Sequence, residues 1–110
     1  MVYSFELYEN NAEGREGSSA IIMITLEGGE KYVGSLYTLD EVCRQNQEHK
    51  SNGEFLSGSY FWSSNMIILE KITQNSVKDV INHLLASDGF YNAFFPANHK
   101  AVETLNKQVN

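Results

Sequence analysis

Histidine and cysteine, the residues most often found as metal ligands or nucleophiles, occur here at spacings that favour neither use. His49, His83 and His99 are dispersed, and none has a second histidine or a cysteine at ligand spacing. The only cysteine, Cys43, is predicted on the inner face of a helix, where a free thiol behaves as a small buried hydrophobe. No basic neighbour that would activate the thiol is evident from the sequence. We therefore predict no metal site and no cysteine nucleophile.

The other common catalytic and ligand-binding motifs are missing as well. No Gly-x-Ser-x-Gly turn occurs, and the glycine-containing segment 14–17 carries an acidic side chain and lacks the lysine of a phosphate loop. The carboxylate pairs Glu13/Glu16 and Asp40/Glu41 are typical of a solvated surface, and no calcium-loop pattern is present. These observations predict a protein that is not an enzyme and has no cofactor.

Charge is the strongest feature that remains, and it is unevenly distributed. The formal net charge is -6; residues 1–55 hold ten acidic and four basic side chains, whereas residues 56–110 hold four of each. Nucleic acid and anionic membranes are disfavoured as partners because phosphate binding needs clustered lysine and arginine. A basic protein would be attracted. The acidic and aromatic residues predicted to bind a partner are Glu9, Glu13, Glu16, Asp40, Glu41, Glu48, Tyr60 and Trp62.

The aromatic run Tyr60-Phe61-Trp62 leaves two uses open. Tyrosine and tryptophan are enriched at the centres of protein interfaces, which favours contact with a protein partner. The alternative is a small ligand-binding or enzymatic domain whose pocket is lined by Tyr37, Tyr60 and Trp62. The chain is expected to be a monomer or a weak homodimer formed through an exposed strand edge.

Length and composition predict one domain over residues 1–110, since two domains would each bury too little apolar surface. Residues 1–6 have neither the basic start nor the apolar stretch of a signal peptide, and the apolar run 20–24 is too short to span a bilayer. One cysteine cannot form an internal disulfide. We therefore expect a cytoplasmic protein.

The first half of the chain has strand patterns. Residues 3–8 alternate with period two, and residues 19–27 are β-branched and apolar on both faces, as in a central strand covered on two sides. Gly28-Gly29 predicts a hairpin leading into a third strand over residues 31–37. Two later strands are predicted over residues 60–62 and 66–72.

A first helix is predicted from Thr38 to about Lys50. Thr38 and Glu41 form a capping-box pattern, in which the Thr38 hydroxyl accepts from the Glu41 N–H and the Glu41 side chain reaches back to the Thr38 N–H. The residues predicted on the inner face of this helix are Leu39, Val42, Cys43 and Asn46.

A second helix is predicted to begin at Thr73 or Ser76 and to end before Gly89, its expected C′ residue. Residues 97–109 have weak helical character. The succession predicts an α+β fold, an antiparallel sheet of about five strands with two main helices packed on it and a short C-terminal helical segment. The apolar stripe of the second helix consists of Val77, Val80, Ile81, Leu84 and Leu85.

The last two-thirds of the chain carry a series of glycine, aromatic and apolar motifs. They are Tyr-Val-Gly-Ser-Leu-Tyr-Thr at 32–38, Gly-Glu-Phe-x-x-Gly-x-Tyr-Phe-Trp at 53–62, Asn-Met-Ile-Ile-Leu at 65–69, the helix pattern at 76–85, Gly-Phe at 89–90 and Phe-Phe at 94–95. In these motifs the chain resembles small bacterial proteins that are immunity partners of polymorphic and contact-dependent growth-inhibition toxins.

The resemblance implies a stoichiometric inhibitor that binds a toxin domain in the cytoplasm and blocks its active site or its substrate path. Many such toxins are basic nucleases, so an acidic partner would imitate the nucleic-acid backbone and associate quickly. No contact residue is carried over from the resemblance, because such residues diverge among immunity proteins.

Overall fold

The computed structural model describes residues 2–10 and 13–97. Five strands and four helices follow one another along this part of the chain. The strands are β1 (Tyr3–Glu9), β2 (Ser19–Leu26), β3 (Lys31–Thr38), β4 (Met66–Leu69) and β5 (Phe95–Pro96). The helices are α1 (Leu39–Asn52), α2 (Glu54–Gly58), α3 (Gln74–Ala86) and α4 (Phe90–Ala93).

The strands form one sheet in the order β1-β2-β3-β4, and β5 pairs with β3. All pairs are antiparallel except β3 with β4, which are parallel because helices α1 and α2 cross over between them. Both β4 and β5 lie along β3, β4 beside residues 35–38 and β5 beside residues 32–33. The predicted α+β class, with a sheet of five strands and helices packed on it, is confirmed, and the single parallel pair is an addition to it.

The main core lies on one face of the sheet. Strand β2 buries every second residue, and α3 and α4 cover that face with Val77, Ile81, Phe90 and Phe94. Gly34 of β3 allows the close approach, since a Cβ atom there would stand 2.7 Å from Cδ1 of Phe94. The residues of β2 that face the other way are partly buried, so the predicted covering of β2 on two sides is complete on one face and only partial on the other. The buried residues of β2 are Ala20, Ile22, Ile24 and Leu26.

Helix α3 has the predicted apolar stripe and the predicted start. Thr73 is its N-cap, and Thr73 and Ser76 exchange side-chain to backbone hydrogen bonds of 3.0 and 2.9 Å. The predicted end is wrong by one residue. Asp88 has the left-handed φ of 61°, and the Gly89 N–H donates to the Leu84 carbonyl at 2.9 Å. Gly89 is therefore the C″ residue of a Schellman-type end, and Asp88, a residue type that tolerates left-handed backbone, is C′.

The structure corrects two strand predictions, and a third prediction concerns residues that lie mostly outside the described part of the chain. Residues 60–62 are not a strand, and β4 ends at Leu69, three residues earlier than predicted. The short helix α4 lies near the C-terminal end of the described chain. The weakly helical pattern predicted over residues 97–109 lies, apart from Ala97, outside the described residues.

Candidate protein-interaction surface

Most of the acidic residues that were predicted to bind a partner lie at one end of the sheet. Glu9 ends β1, and Asn10 donates to the Ser19 carbonyl at 3.0 Å where β2 begins. Thr38 ends β3 at the same level, because its N–H donates to the Ser18 carbonyl at 2.9 Å. Asp40 follows two residues later, in the first turn of α1. Glu13 and Glu16 lie in the described part of the loop that connects β1 to β2.

Four of these carboxylates remain free to meet a partner. Glu9, Glu13, Glu16 and Asp40 are all exposed, and within the described chain none of them forms an ion pair. We call these four residues the acidic end. Asp40 lies in the first turn of α1, where a carboxylate is also favoured by the helix dipole. Glu48, by contrast, is exposed but pairs with Arg44 at 2.6 Å, so its charge is partly compensated.

Glu41 has a different environment from the other predicted contact residues, because its carboxylate is buried. It accepts hydrogen bonds from Arg44 at 2.7 and 2.8 Å, from Gln45 at 2.7 Å and from Arg15 at 2.8 Å. The hydrogen bond from Arg44 lowers the pKa of Glu41 most, and those from Gln45 and Arg15 lower it further. Burial acts in the opposite direction, but the three hydrogen-bond donors outweigh it, so the pKa of Glu41 falls from 4.5 to about 2. Glu41 is only 2% exposed, so its carboxylate faces the two arginines and Gln45 and is shielded from solvent.

The capping prediction for α1 is half confirmed. The Thr38 hydroxyl accepts from the Glu41 N–H at 3.2 Å, as predicted. The Glu41 side chain does not return to the Thr38 N–H, since that N–H already donates to the Ser18 carbonyl. The Thr38 N–H is thus satisfied by Ser18 of the β1–β2 loop, and the Glu41 carboxylate is satisfied by Arg15 of that loop together with Arg44 and Gln45. Arg15 and Ser18 attach the loop to the start of α1.

The orientation predicted for α1 is wrong. Leu39 is 60% exposed and Cys43 is exposed, whereas Val42 and Asn46 are partly buried. The buried side chains of α1 are Glu41 and His49. The apolar stripe of this helix is weak, so the ion pairs of Glu41 and the aromatic contacts of His49 determine which side faces inward.

His49 lies at the centre of an aromatic cluster that sequence reasoning did not find. Its ring stacks on Phe55 with the centroids 4.3 Å apart, and Phe61 lies 6.1 Å away on a nearly parallel plane. Phe61 also contacts Tyr37 of β3 edge-to-face at 5.5 Å. Tyr60 contacts Phe55 at 5.3 Å. We call Tyr37, His49, Phe55, Tyr60 and Phe61 the aromatic cluster; it joins α1 and α2 to the end of β3.

The two predicted aromatic contact residues are exposed next to this cluster. Tyr60 is 48% exposed and Trp62 is 60% exposed. Both chain neighbours of Trp62 contact Tyr37. The Phe61 ring packs against the Tyr37 ring, and the Ser63 hydroxyl oxygen accepts a hydrogen bond of 3.3 Å from the Tyr37 hydroxyl. Since Tyr37 directly precedes the N-cap of α1, Trp62 is held near the same strand end as the acidic end.

The backbone of α2 is left-handed, which sequence reasoning also missed. Phe55, Leu56 and Ser57 have φ values of 54°, 50° and 57°. Left-handed backbone costs non-glycine residues roughly 1–2 kcal/mol each, so the surrounding contacts must hold this turn in place. The stacking of Phe55 on His49 is one such contact. The turn projects Leu56 into solvent, where it is 75% exposed.

Two shallow grooves lie elsewhere on the molecule. One of about 420 Å³ runs between β1 and α3, and the other, of similar volume, lies beside β4 and the start of α3. Neither groove includes Tyr37, Tyr60 or Trp62. Within residues 2–10 and 13–97, no three histidine, cysteine, aspartate or glutamate side chains are grouped to hold a metal ion. His99 lies outside that part of the chain.

Comparisons with protein-family models, with curated proteins and with solved structures found no match to this chain. No helix in the described portion of the chain combines the length and apolar content needed to cross a membrane.

Proposed function

We propose that this protein is an immunity protein that binds a cognate bacterial toxin domain in the cytoplasm and neutralises it. The acidic end carries the proposal, because Glu9, Glu13, Glu16 and Asp40 place four uncompensated carboxylates at one end of the sheet. Such a concentration of charge attracts a basic surface and accelerates association. A basic nuclease is the partner that fits best, since its nucleic-acid site must itself be positively charged.

The acidic end would increase the rate of association, whereas the exposed aromatic residues beside it would increase the affinity of the complex. Trp62 and Tyr60 are large and partly exposed, and side chains of these types dominate the energy of protein interfaces. Tyr60 contacts Phe55 within the aromatic cluster, which restricts the movement of the Tyr60 ring before binding and lowers the entropy cost of association. In this proposal the protein acts as a monomer or weak homodimer and blocks the toxin by occupying its active site, without catalysing a reaction itself.

The Arg15–Glu41–Arg44 network has a supporting role in this proposal. It attaches the β1–β2 loop to α1, so Glu13 and Glu16 are presented beside Asp40. Arg15 is engaged with Glu41, and Arg44 is engaged with Glu41 and Glu48, so neither arginine pairs with a carboxylate of the acidic end. Glu41 thus keeps two cations out of the acidic end.

The first test is genetic context and complex formation. A gene for a large secreted protein with a basic C-terminal domain should lie next to the gene for this chain. Co-expression of that domain with this chain should restore growth and yield a complex that co-purifies. A toxic neighbouring domain that neither binds this chain nor is neutralised by it would contradict the proposal.

Matched charge reversals test the acidic end within that complex. The variant Glu13→Lys/Glu16→Lys should slow association by about tenfold at low salt, and the difference should shrink as the salt concentration rises. The control Glu27→Lys/Glu30→Lys makes the same charge change on exposed residues at the β2–β3 hairpin, at the other end of the sheet. Equal effects of the two variants would show that only total charge matters and would place the interface elsewhere.

A further inference from the structure

Strand β1 forms one edge of the sheet. In the described part of the chain it pairs with β2 alone, over all seven of its residues. The Asn10 N–H donates to the Ser19 carbonyl, and hydrogen-bonded pairs recur at every second residue of an antiparallel ladder. The N–H and C=O groups of Ser4, Glu6 and Tyr8 therefore face β2. Those of the alternate residues face outward, along the free edge.

A groove runs beside this free edge. It has a volume of about 420 Å³ and lies between β1 and α3. The Tyr3 hydroxyl donates to the Asn82 side-chain oxygen at 2.7 Å, which holds α3 beside the edge. Phe5 and Leu7 are only partly buried on this side of β1. The residues that line the groove are Val2, Tyr3, Ser4, Phe5, Lys78 and Asn82.

The edge lacks three of the features that commonly prevent strand addition, namely proline, lysine and a β-bulge. Tyr3–Glu9 contains no proline and no lysine, and its pairing with β2 is continuous, without a bulge. Its charged residues are both acidic. Glu6 is exposed on the open face of the sheet, where its carboxylate accepts a hydrogen bond of 2.8 Å from the Tyr8 hydroxyl.

A second copy of this chain fits the edge poorly. The antiparallel register that pairs all seven residues of β1 with β1 of a second copy would place Glu6 directly opposite its own equivalent. Like charges in directly opposed positions destabilise a strand pair. The same geometry favours a strand that carries lysine or arginine opposite Glu6.

We propose that the free edge of β1 accepts an extended segment of a basic partner protein as an added antiparallel strand. The segment alternates: its apolar side chains enter the groove between β1 and α3, and its lysine or arginine side chains lie on the open face near Glu6. Main-chain hydrogen bonds to Phe5 and Leu7 supply affinity, and the alternation supplies specificity. The proposal holds for any basic protein partner and does not depend on toxin neutralisation.

The test uses the full chain labelled with ¹⁵N and a synthetic octapeptide of alternating lysine and valine as the probe. At millimolar peptide, the amide groups of Phe5 and Leu7 should become protected from hydrogen exchange. Glu6→Lys should weaken binding by about fivefold, from the loss of one favourable cross-strand pair and the gain of an unfavourable one. Glu30→Lys, which changes the same charge on the β2–β3 hairpin, should leave affinity nearly unchanged.

Two control peptides separate strand addition from general attraction. The same peptide with alternate N-methylated amides keeps its charge but cannot form the ladder, and a peptide with glutamate in place of lysine reverses the charge. The proposal predicts that neither protects Phe5 or Leu7. Equal binding of the N-methylated peptide, or no protection by the lysine peptide, would overturn it.

The other possible occupants of the edge give distinct results without peptide. Protection of Phe5 and Leu7 that rises with protein concentration would identify a second copy. Protection that is independent of concentration and is lost on truncation after Ala97 would identify the chain's own C-terminal segment. Either result would overturn the proposal in favour of that occupant.

Discussion

Arg15, in the loop between β1 and β2, donates a hydrogen bond of 2.8 Å to the buried carboxylate of Glu41, 26 residues further along the chain. The same carboxylate binds Arg44 and Gln45 on its own helix. This contact attaches the loop that carries Glu13 and Glu16 to the start of α1. It thereby determines the shape of the acidic end.

Replacing Glu41 should both destabilise the fold and release the loop. Glu41→Gln removes the charge that two arginines share, and we expect a loss of about 2 kcal/mol in the free energy of unfolding, because both arginines are about one-third exposed and can rehydrate. Urea denaturation measures the loss. Glu48→Gln, which removes an exposed partner of Arg44, should cost less than about 0.5 kcal/mol. Equal losses for the two variants would contradict a special role for Glu41.

Stability should fall in acid through the same group. The pKa of Glu41 in the folded protein is about 2, below its ordinary value of 4.5. Its contribution is therefore fully present above about pH 4.5 and is lost as the pH falls from there towards 2. Urea denaturation at a series of pH values should show this decline, and it should be smaller in Glu41→Gln. An identical pH profile in both proteins would exclude Glu41 as its source.

A methyl group at residue 34 should not be tolerated. A Cβ atom at Gly34 would lie 2.7 Å from Cδ1 of Phe94, whose ring is fully buried in the core, so the ring or the strand must shift. We expect Gly34→Ala to cost about 1–3 kcal/mol by overpacking. In Gly28→Ala the new atom meets only the flexible end of the Glu30 side chain, so the change should stay within about 0.5 kcal/mol. Thermal or urea unfolding of the two alanine variants compares them directly.

Removing a large side chain from the core face of α3 should leave a cavity. Ile81 is 1% exposed, and Ile81→Ala should lower the free energy of unfolding by about 2–5 kcal/mol. Ile68→Ala makes the same chemical change on β4, where the side chain is 46% exposed, and should cost less than about 1 kcal/mol. Similar losses at both positions would mean that α3 does not cover the sheet as described.

The orientation of α1 can be tested through its thiol. Cys43 is exposed, although its place in the helix pattern predicted burial. The native protein should react fully with a thiol reagent such as Ellman's reagent, without denaturant, and Cys43→Ser should not react. Reaction only after unfolding would return α1 to the orientation that the sequence pattern predicted.

The elements whose pattern is local were predictable from the sequence. β1 has alternating side chains and α3 has a stripe at helical spacing, so each of these two elements identifies its own buried face by periodicity, whereas the β-branched residues of β2 and β3 identify strands without indicating which face is buried. Thr73 and Thr38 mark helix starts through contacts that lie within four residues. The class of fold followed from these elements and their order.

Tertiary contacts decided the rest, because the interactions concerned join residues of different elements and leave no periodic pattern within either element. Nothing near Glu41 indicates that Arg15 will bury its carboxylate, and nothing near His49 indicates a stack with Phe55 and Phe61 on a left-handed turn. Those contacts set the face of α1 and expose Cys43. The sequence alone determined that the candidate surface of this chain would be rich in acidic and aromatic residues. Only the packing of α1 decided which of the carboxylates are exposed on that surface and which is buried.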